Sequence, residues 1–335
     1  MKRILPGILF LVLSACGIGS DWERNINSGN ALGTTYNITY LADEKLDFQE
    51  SIDSVFVVIN QSMSTYQQDS DISRINNGDS TVVIDHMFKD VFELSKEVYE
   101  ATGGSFDPTV GILVNAWGFG PGKAMELDST DVDSILQYVG FGKVALQSDN
   151  TIRKTYPEIY FDFNAIAKGY AIDRLALMLD KKGISNYLVE VGGEVVAKGR
   201  NRLKEKPWVI GIDDPQVTGG RALKKAVRLT DRALASSGNY RKFRVDSVSG
   251  KKYVHTIDPL SGYSRDSNVL AATVIANSCA EADAYATALM AMELDRSKEL
   301  LQEQQGLEAY IIYLDKKGDT REYLTPGFSK MVVEL

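Results

Sequence analysis

Apolar residues recur along the chain in two spacings, one typical of strands and one typical of helices. Alternation with β-branched residues predicts strands over residues 33–40, 158–163, 187–196, 208–212, 270–276 and 309–314. Spacings of three and four residues predict helices over residues 48–63, 88–102, 165–182, 279–293 and 297–305. Gly103 and Gly183 follow two of these helices and mark their ends.

The predicted strands and helices do not alternate in a regular strand–helix–strand order. This favours an α+β fold with a mixed arrangement of sheet and helix. The chain has 335 residues, enough for a large core, with no internal repeat or low-complexity tract. We find no second linker, and residues 30–335 are predicted to form one catalytic unit.

The N-terminus has the pattern of an export signal. Lys2 and Arg3 precede an apolar run over residues 4–13, which is too short to cross a bilayer as a helix. The run ends in Leu-Ser-Ala-Cys, similar to the bacterial lipobox, whose cysteine is lipidated and becomes the first mature residue. The alternative is an ordinary secretory signal with a chance cysteine. We therefore predict a lipoprotein signal peptide over residues 1–15 and lipidation of Cys16, which gives an exported, membrane-anchored protein that faces the periplasm.

Residues 16–29 are polar and contain glycine, which predicts a short tether between lipid and domain. If Cys16 is lipidated, Cys279 is the remaining thiol and an intramolecular disulfide is excluded. Two histidines and two cysteines are too few for His-rich metal clusters and for zinc or iron–sulfur sites built from cysteine. The net charge of −8 disfavours a nucleic-acid partner. A protein this acidic needs a metal ion or local cationic groups to bind phosphates.

A candidate metal site lies on the helix predicted over residues 279–293. Ser278 and Glu281 have the spacing of a capping box at its start. Asp283 and Thr287 are four residues apart, hence on one face. Their carboxylate and hydroxyl oxygens suit Mg²⁺, with phosphate and water completing the octahedron. An exposed aspartate and a buried threonine would give the same pattern without a metal.

Two segments are candidates for binding anions. Asp162 and Asn164 stand between a predicted strand and a helix N-terminus, where backbone N–H groups attract negative charge, although both could simply cap the helix. Residues 118–123 are glycine-rich but match neither the dinucleotide fingerprint nor the P-loop, and either a turn or a ligand cradle fits them.

His255 is the candidate general base. It follows a short strand and precedes an Asp-Pro turn at 258–259, which would hold the imidazole in place. A lone histidine with a packing role is the alternative. His86, beside Asp85 ahead of a helix, is a weaker candidate.

Eight segments follow one another in the order found in one known family. They are ALGTTYNI (31–38), MSTYQQDSDISRIN (63–76), TGGSFDPTVGILVNAWGFG (102–120), FDFNAIAKGYAID (161–173), YLVEVGGEVVAKG (187–199), RALASSGNYRKF (232–243), HTIDPLSG (255–262) and CAEADAYATALMAM (279–292). Together they resemble the ApbE family, the FAD:protein FMN transferases. The resemblance implies an ApbE-like, T-fold-related catalytic domain of mixed sheet and helix.

The resemblance also implies a role for individual residues. Mg²⁺ would be held by the backbone carbonyl of Ala165 and the side chains of Asp283 and Thr287, and His255 would activate the incoming threonine. FAD would be bound by Leu32, Tyr66, Ala116, Trp117, Gly118, Asp162, Lys168 and Ile257, with the Tyr66 ring stacking on the flavin.

This sequence departs from the family pattern at three of the matching positions. Leu32 stands where the family usually has Met, a swap of similar volume. Asn164 replaces a usual Gly or Ser before the metal-binding Ala. Ala286 stands where some relatives carry a second Asp, so fewer charges would hold the metal here.

The activity implied is transfer of FMN from FAD to a threonine hydroxyl of another protein, with release of AMP. Implied acceptors are subunits of Nqr- and Rnf-type redox pumps or related exported flavoproteins. Two alternatives remain open. One is an FAD pyrophosphatase, in which water replaces threonine, and the other is a non-catalytic FAD-binding lipoprotein.

We expect Cys16→Ser to release the protein from the membrane, because lipid attachment requires the thiol. Membrane and soluble fractions separated in high salt would show the variant in the soluble or unprocessed pool, with unchanged activity. Retention of the variant on membranes would contradict the lipobox assignment.

Overall fold

The computed structural model describes residues 22–217, 222–239, 243–245, 252–265 and 267–334. The predicted signal peptide and Cys16 lie outside these residues. The strands are β1 (Glu23–Ala31), β2 (Thr34–Ala42), β3 (Val144–Leu146), β4 (Ile152–Lys154), β5 (Tyr187–Val191), β6 (Glu194–Lys198), β7 (Trp208–Asp213), β8 (Leu223–Leu229), β9 (Arg232–Gly238), β10 (Phe243–Val245), β11 (Lys252–Val254), β12 (Val269–Ala276), β13 (Glu308–Leu314), β14 (Thr320–Leu324) and β15 (Val332–Val333). The helices are α1 (Gln49–Met63), α2 (Asp71–Asn76), α3 (His86–Ala101), α4 (Gly111–Ala116), α5 (Ser129–Leu136), α6 (Ala167–Lys181), α7 (Cys279–Ala291), α8 (Leu294–Glu303) and α9 (Pro326–Met331), with a 3₁₀ turn over Phe141–Lys143.

An eight-stranded antiparallel sheet, in the order β1-β2-β5-β6-β9-β12-β13-β14, separates two hydrophobic layers. On one face α1, α3, α6 and α7 share a core with Ala235 of β9 and Val274 of β12. On the other face the small sheet β15-β8-β7 brings Trp208 and Val227 against Leu234. The predicted α+β class is confirmed. Among the described residues, none of the helices combines the length and apolarity needed to span a membrane.

Helix α7 is buried on nearly all sides, as expected of a central helix without a polar face. It crosses α6 at Gly169, where an added Cβ would lie 2.3 Å from the Cys279 carbonyl oxygen. The Asp173 carboxylate of α6 accepts the backbone N–H groups of Cys279 (2.7 Å) and Ala280 (2.9 Å). Ser278 caps the same end by accepting the N–H of Glu281 at 3.2 Å. These contacts fix the register between the two helices.

Two tight hairpins form neighbouring tips at one end of the sheet. Leu32 and Gly33 join β1 to β2 with φ of 51° and 72°, and Gly192 and Gly193 join β5 to β6 with φ of 63° and 99°. Two consecutive residues with positive φ are typical of the type I′ turn that suits a twisted hairpin. The prediction of one strand over 187–196 is wrong, because this Gly-Gly pair reverses the chain.

The predicted tether over 16–29 is wrong from Glu23 onward, because β1 begins there and pairs with β2 along its whole length. Two of its polar residues are buried: Asn25 Nδ2 donates to the Glu44 carbonyl at 3.1 Å, and Asn27 Nδ2 donates to Asp47 at 2.7 Å. Side chains that suggest a solvated linker therefore pin an edge strand to the following loop, and the domain starts before residue 30.

The strand predicted over 158–163 is also wrong, since only Tyr160 forms a single bridge, to Val110. The predicted helices are confirmed as α1, α3, α6, α7 and α8, with ends shifted by a few residues. The strands predicted at 33–40, 208–212, 270–276 and 309–314 are confirmed as β2, β7, β12 and β13.

We expect Gly169→Ala to destabilise the fold by about 1–3 kcal/mol, because the new methyl group would meet backbone atoms of α7 that cannot rotate away. Gly142→Ala is the matched control, since a Cβ there meets nothing within 4 Å. Urea unfolding of both variants would measure the difference. Equal midpoints would contradict the close helix crossing.

Candidate active site

A cavity of about 910 Å³ lies among the two hairpin tips, the start of α6, one side of α7 and the segment around residue 255. This volume is in the range of cofactor-sized binding sites. The cavity brings together nine of the predicted site residues: Leu32, Tyr66, Asp162, Ala165, Lys168, His255, Ile257, Asp283 and Thr287.

The other three predicted residues, Ala116, Trp117 and Gly118, do not line the cavity. Trp117 is 6 % exposed and donates from Nε1 to the Gly262 carbonyl at 2.9 Å. Their neighbours Val114 and Phe119 are part of the lining instead. Trp117 therefore contacts the loop after His255.

Asp283 is directed at the start of α6. It is 5 % exposed, not partly exposed as a surface helix position would be, and its Oδ2 accepts the Gly169 N–H at 3.2 Å. Helical register would pair that N–H with the Ala165 carbonyl. The N–H bonds to Asp283 instead, and both Ala165 and Asp283 line the cavity.

Thr287 lies one turn further along α7 and also faces the cavity. Its Oγ1 is 3.3 Å from the hydroxyl oxygen of Ser237 on β9. A carboxylate, a hydroxyl and a carbonyl are all hard oxygen donors, the ligand type preferred by Mg²⁺. Within the described residues, no group of three or more His, Cys, Asp or Glu side chains has the arrangement of a metal site. Phosphate oxygens and water would therefore have to supply the remaining ligands.

Lys168 projects from the first turn of α6 and forms an ion pair with Glu194, Nζ to Oε1 at 2.8 Å. Burial raises the pKa of Asp283, and Lys168 only partly opposes this. Burial and the nearby Asp283 charge likewise raise the pKa of Glu194. Burial would lower the pKa of Lys168, but the charges of Glu194 and Asp283 outweigh it and raise that pKa. Two buried acids thus share one lysine, and an added cation would stabilise their ionised forms.

Asp162 does not cap α6. Its Oδ1 accepts the N–H of Asn164 at 2.8 Å, whereas the helix starts after Ile166 with no side-chain cap. The alternative interpretation, that Asp162 and Asn164 only cap this helix, is therefore wrong. Burial raises the pKa of Asp162, and its side chain lies beside the exposed Tyr66 ring at the cavity wall.

His255 lies at the end of β11, partly buried, and faces the cavity. The following residue, Thr256, is buried and donates from Oγ1 to Asn239 Oδ1 at 2.8 Å. Asp258 organises the next turn, with Oδ1 accepting the Leu260 N–H at 3.0 Å. These contacts hold the backbone on both sides of the imidazole. His86 is instead the first residue of α3 and does not line the cavity.

Sequence reasoning missed Glu194, Ser237 and the hairpin tips. Glu194 follows Gly192-Gly193, and this glycine pair was a turn signal that would have placed the carboxylate at the start of a new strand. Leu32 occupies the left-handed region at φ 51°, a conformation that costs a branched residue about 1 kcal/mol and is often found at functional sites.

The fold and cavity define a class: an α+β protein in which the buried helix α7 presents a carboxylate and a hydroxyl to a cavity that a lysine and a histidine also line. The model of the ApbE family matches residues 32–311, and the chain belongs to that family.

Proteins of known name are similar to this chain in sequence and in structure along nearly its whole length. The FAD:protein FMN transferase of Haemophilus influenzae is 33% identical over 333 residues, covering 95% of each chain. The FAD:protein FMN transferase of Vibrio cholerae is 36% identical over 337 residues, covering 98% of each. Among solved structures, the flavin transferase ApbE from Vibrio cholerae has a TM-score of 0.82 at 34% identity, covering 92% of this chain and 99% of that one. The apo form of Pseudomonas stutzeri flavinyl transferase ApbE has a TM-score of 0.81 at 28% identity, covering 92% and 97%.

Proposed function

We propose that this protein transfers FMN from FAD to a threonine hydroxyl of an acceptor protein, with Mg²⁺ as cofactor and AMP as leaving group. The observation that carries the proposal is the meeting of Asp283, Thr287 and the Ala165 backbone with Lys168 and His255 in one cavity. The relatives' shared name supports the same reaction class.

Ala165, Asp283 and Thr287 are the residues that would hold the cation. When bound, Mg²⁺ supplies charge neutralisation for the pyrophosphate of FAD and for the departing phosphate. Lys168, paired on one side with Glu194, presents a fixed positive charge to the same phosphates. The exposed Tyr66 ring at the cavity wall offers an aromatic face for the flavin.

His255 is the proposed base. Its imidazole takes the proton of the acceptor threonine as the threonine oxygen attacks the phosphorus that carries riboflavin. The new P–O bond forms while the bond to the AMP phosphate breaks, so the products are a flavinylated protein, AMP and one proton. The flavin ring keeps its oxidation state, because FAD is a substrate here and not a redox cofactor.

The acceptor carries its threonine on the exported side of the membrane, as Nqr- and Rnf-type pump subunits or related exported flavoproteins do. We propose that Cys16 anchors the enzyme there, and the sequence of residues 1–16 supports this.

A test of the reaction incubates the full-length protein with FAD and Mg²⁺, with and without a candidate acceptor. In-gel flavin fluorescence on the acceptor, with equimolar AMP, is the expected result. Rapid release of free FMN without acceptor would assign a pyrophosphatase instead. Absence of AMP in both samples would assign a flavin-binding protein without catalysis.

We expect Asp283→Asn to weaken Mg²⁺ binding and nearly abolish AMP formation, because it removes the single charged ligand while keeping an oxygen that can accept the Gly169 N–H. Magnesium titration calorimetry and AMP chromatography would measure both effects. Asp295→Asn, on an exposed position of α8, is the control and should behave as wild type. Full AMP formation by the Asp283 variant at low Mg²⁺ would refute the assignment.

For His255→Ala we expect FAD affinity close to wild type and flavin transfer lower by roughly 10²–10⁴-fold, the usual contribution of a positioned base. The base acts on the nucleophile in the transition state, so ground-state binding of FAD is spared. Transfer by the wild-type protein should also fall as acid protonates the imidazole, since an imidazolium cannot accept the proton.

Fluorescence titration of FAD beside a transfer assay separates these roles for His255. A parallel loss of affinity, transfer and thermal stability would show that His255 is a packing residue, and the base would then be another group.

A further inference from the structure

Glu194 is buried in the cavity wall in a way that stability does not explain. Its side chain is 4 % exposed, and only Oε1 has a hydrogen-bonding partner among the described residues, the Lys168 ammonium. The other oxygen, Oε2, is inaccessible to water and has no hydrogen-bond donor there. Burying a carboxylate oxygen without a hydrogen-bond donor costs the free energy of its lost hydration. Glu194 also adds a second negative charge near Asp283.

The position of Lys168 in its helix is also unfavourable. It lies in the first turn of α6, where the positive end of the helix dipole repels a cation. Its neighbour Gly169 donates its N–H to Asp283 at 3.2 Å, so the lysine starts beside the proposed metal ligand. The Lys168 ammonium, on a flexible four-carbon stem, interacts electrostatically with two acids, Glu194 and Asp283. Paired with Asp283, it would occupy the carboxylate that a metal ion needs.

We infer that Glu194 is a positioning residue that holds the Lys168 ammonium away from Asp283, so that Asp283 stays available to a cation. The inference rests on the proposed metal-dependent function of the same cavity. The β5–β6 hairpin makes this possible, because the Gly192-Gly193 turn places Glu194 at the first residue of β6, facing α6. Lysine and cation then act on the phosphates side by side instead of competing for one carboxylate.

The test compares Glu194→Gln, Lys168→Met and the double variant in divalent-cation binding without FAD, with Mn²⁺ followed by electron paramagnetic resonance. We expect Glu194→Gln to weaken Mn²⁺ binding about tenfold, a typical coupling between contacting charged residues, because the freed ammonium pairs with Asp283. Adding Lys168→Met to Glu194→Gln should restore the affinity for Mn²⁺ to near that of the wild type. FAD affinity, measured by fluorescence quenching, should be lower in the double variant than in the wild type, because the lysine is gone.

Rescue by a second substitution is a result that a merely structural Glu194 would not give. Equal Mn²⁺ affinity in wild type and Glu194→Gln, or a double variant no better than Glu194→Gln, would overturn the inference. Glu322→Gln is the matched control, since Glu322 forms a 2.8 Å ion pair with Lys225 outside the cavity lining. If the wild-type protein bound no Mn²⁺, the proposed metal site itself would fail, which is a distinguishable result.

Discussion

The close crossing of α6 and α7 is the constraint on which the rest of the site depends. Gly169 permits contact with the Cys279 backbone, and Asp173 ties the first N–H groups of α7 to the side of α6. Burial raises the pKa of Asp173 to about 6, against two stabilising backbone hydrogen bonds. Because this junction is fixed, the backbone at the start of α6 and a carboxylate on α7 lie close together although they are far apart in the sequence.

The cavity concentrates charge where a protein interior tolerates it least. Asp283 and Glu194 are almost fully buried, and Lys168, which pairs with Glu194, is partly buried. Replacing buried charged groups by apolar residues is often neutral or stabilising. We propose that their grouping at one cavity serves the transfer reaction, because a pre-arranged set of charges acts on phosphates without reorganisation when the substrate arrives.

Backbone geometry also shapes the part of the cavity wall that the two hairpin tips form. The two type I′ tips approach each other closely, and a Cβ on Gly192 would lie 2.9 Å from Thr34 Cγ2. This proximity places Leu32 and Glu194 on neighbouring hairpins, one apolar and one charged. Leu32 and Tyr66 both line the cavity, and Glu194 pairs with Lys168 of α6.

The sequence by itself determined the local features: the amphipathic helices, the capping serine of α7, and the placing of Asp283 and Thr287 on one helix face. These features follow from spacings of a few residues, because the period of a helix or a strand determines which side chains share a face. Together with the ordered family segments, they predicted nine residues that share one cavity. What only the tertiary structure decided was pairing at a distance. The asparagines of β1 look solvated until the loop over 44–47 satisfies them, Trp117 looks like a ligand contact until Gly262 accepts its N–H, and Glu194 has no evident partner until Lys168 arrives from 26 residues away. Polar and aromatic side chains carry no local signal of burial, because their environment is set by which distant strand or helix packs over them.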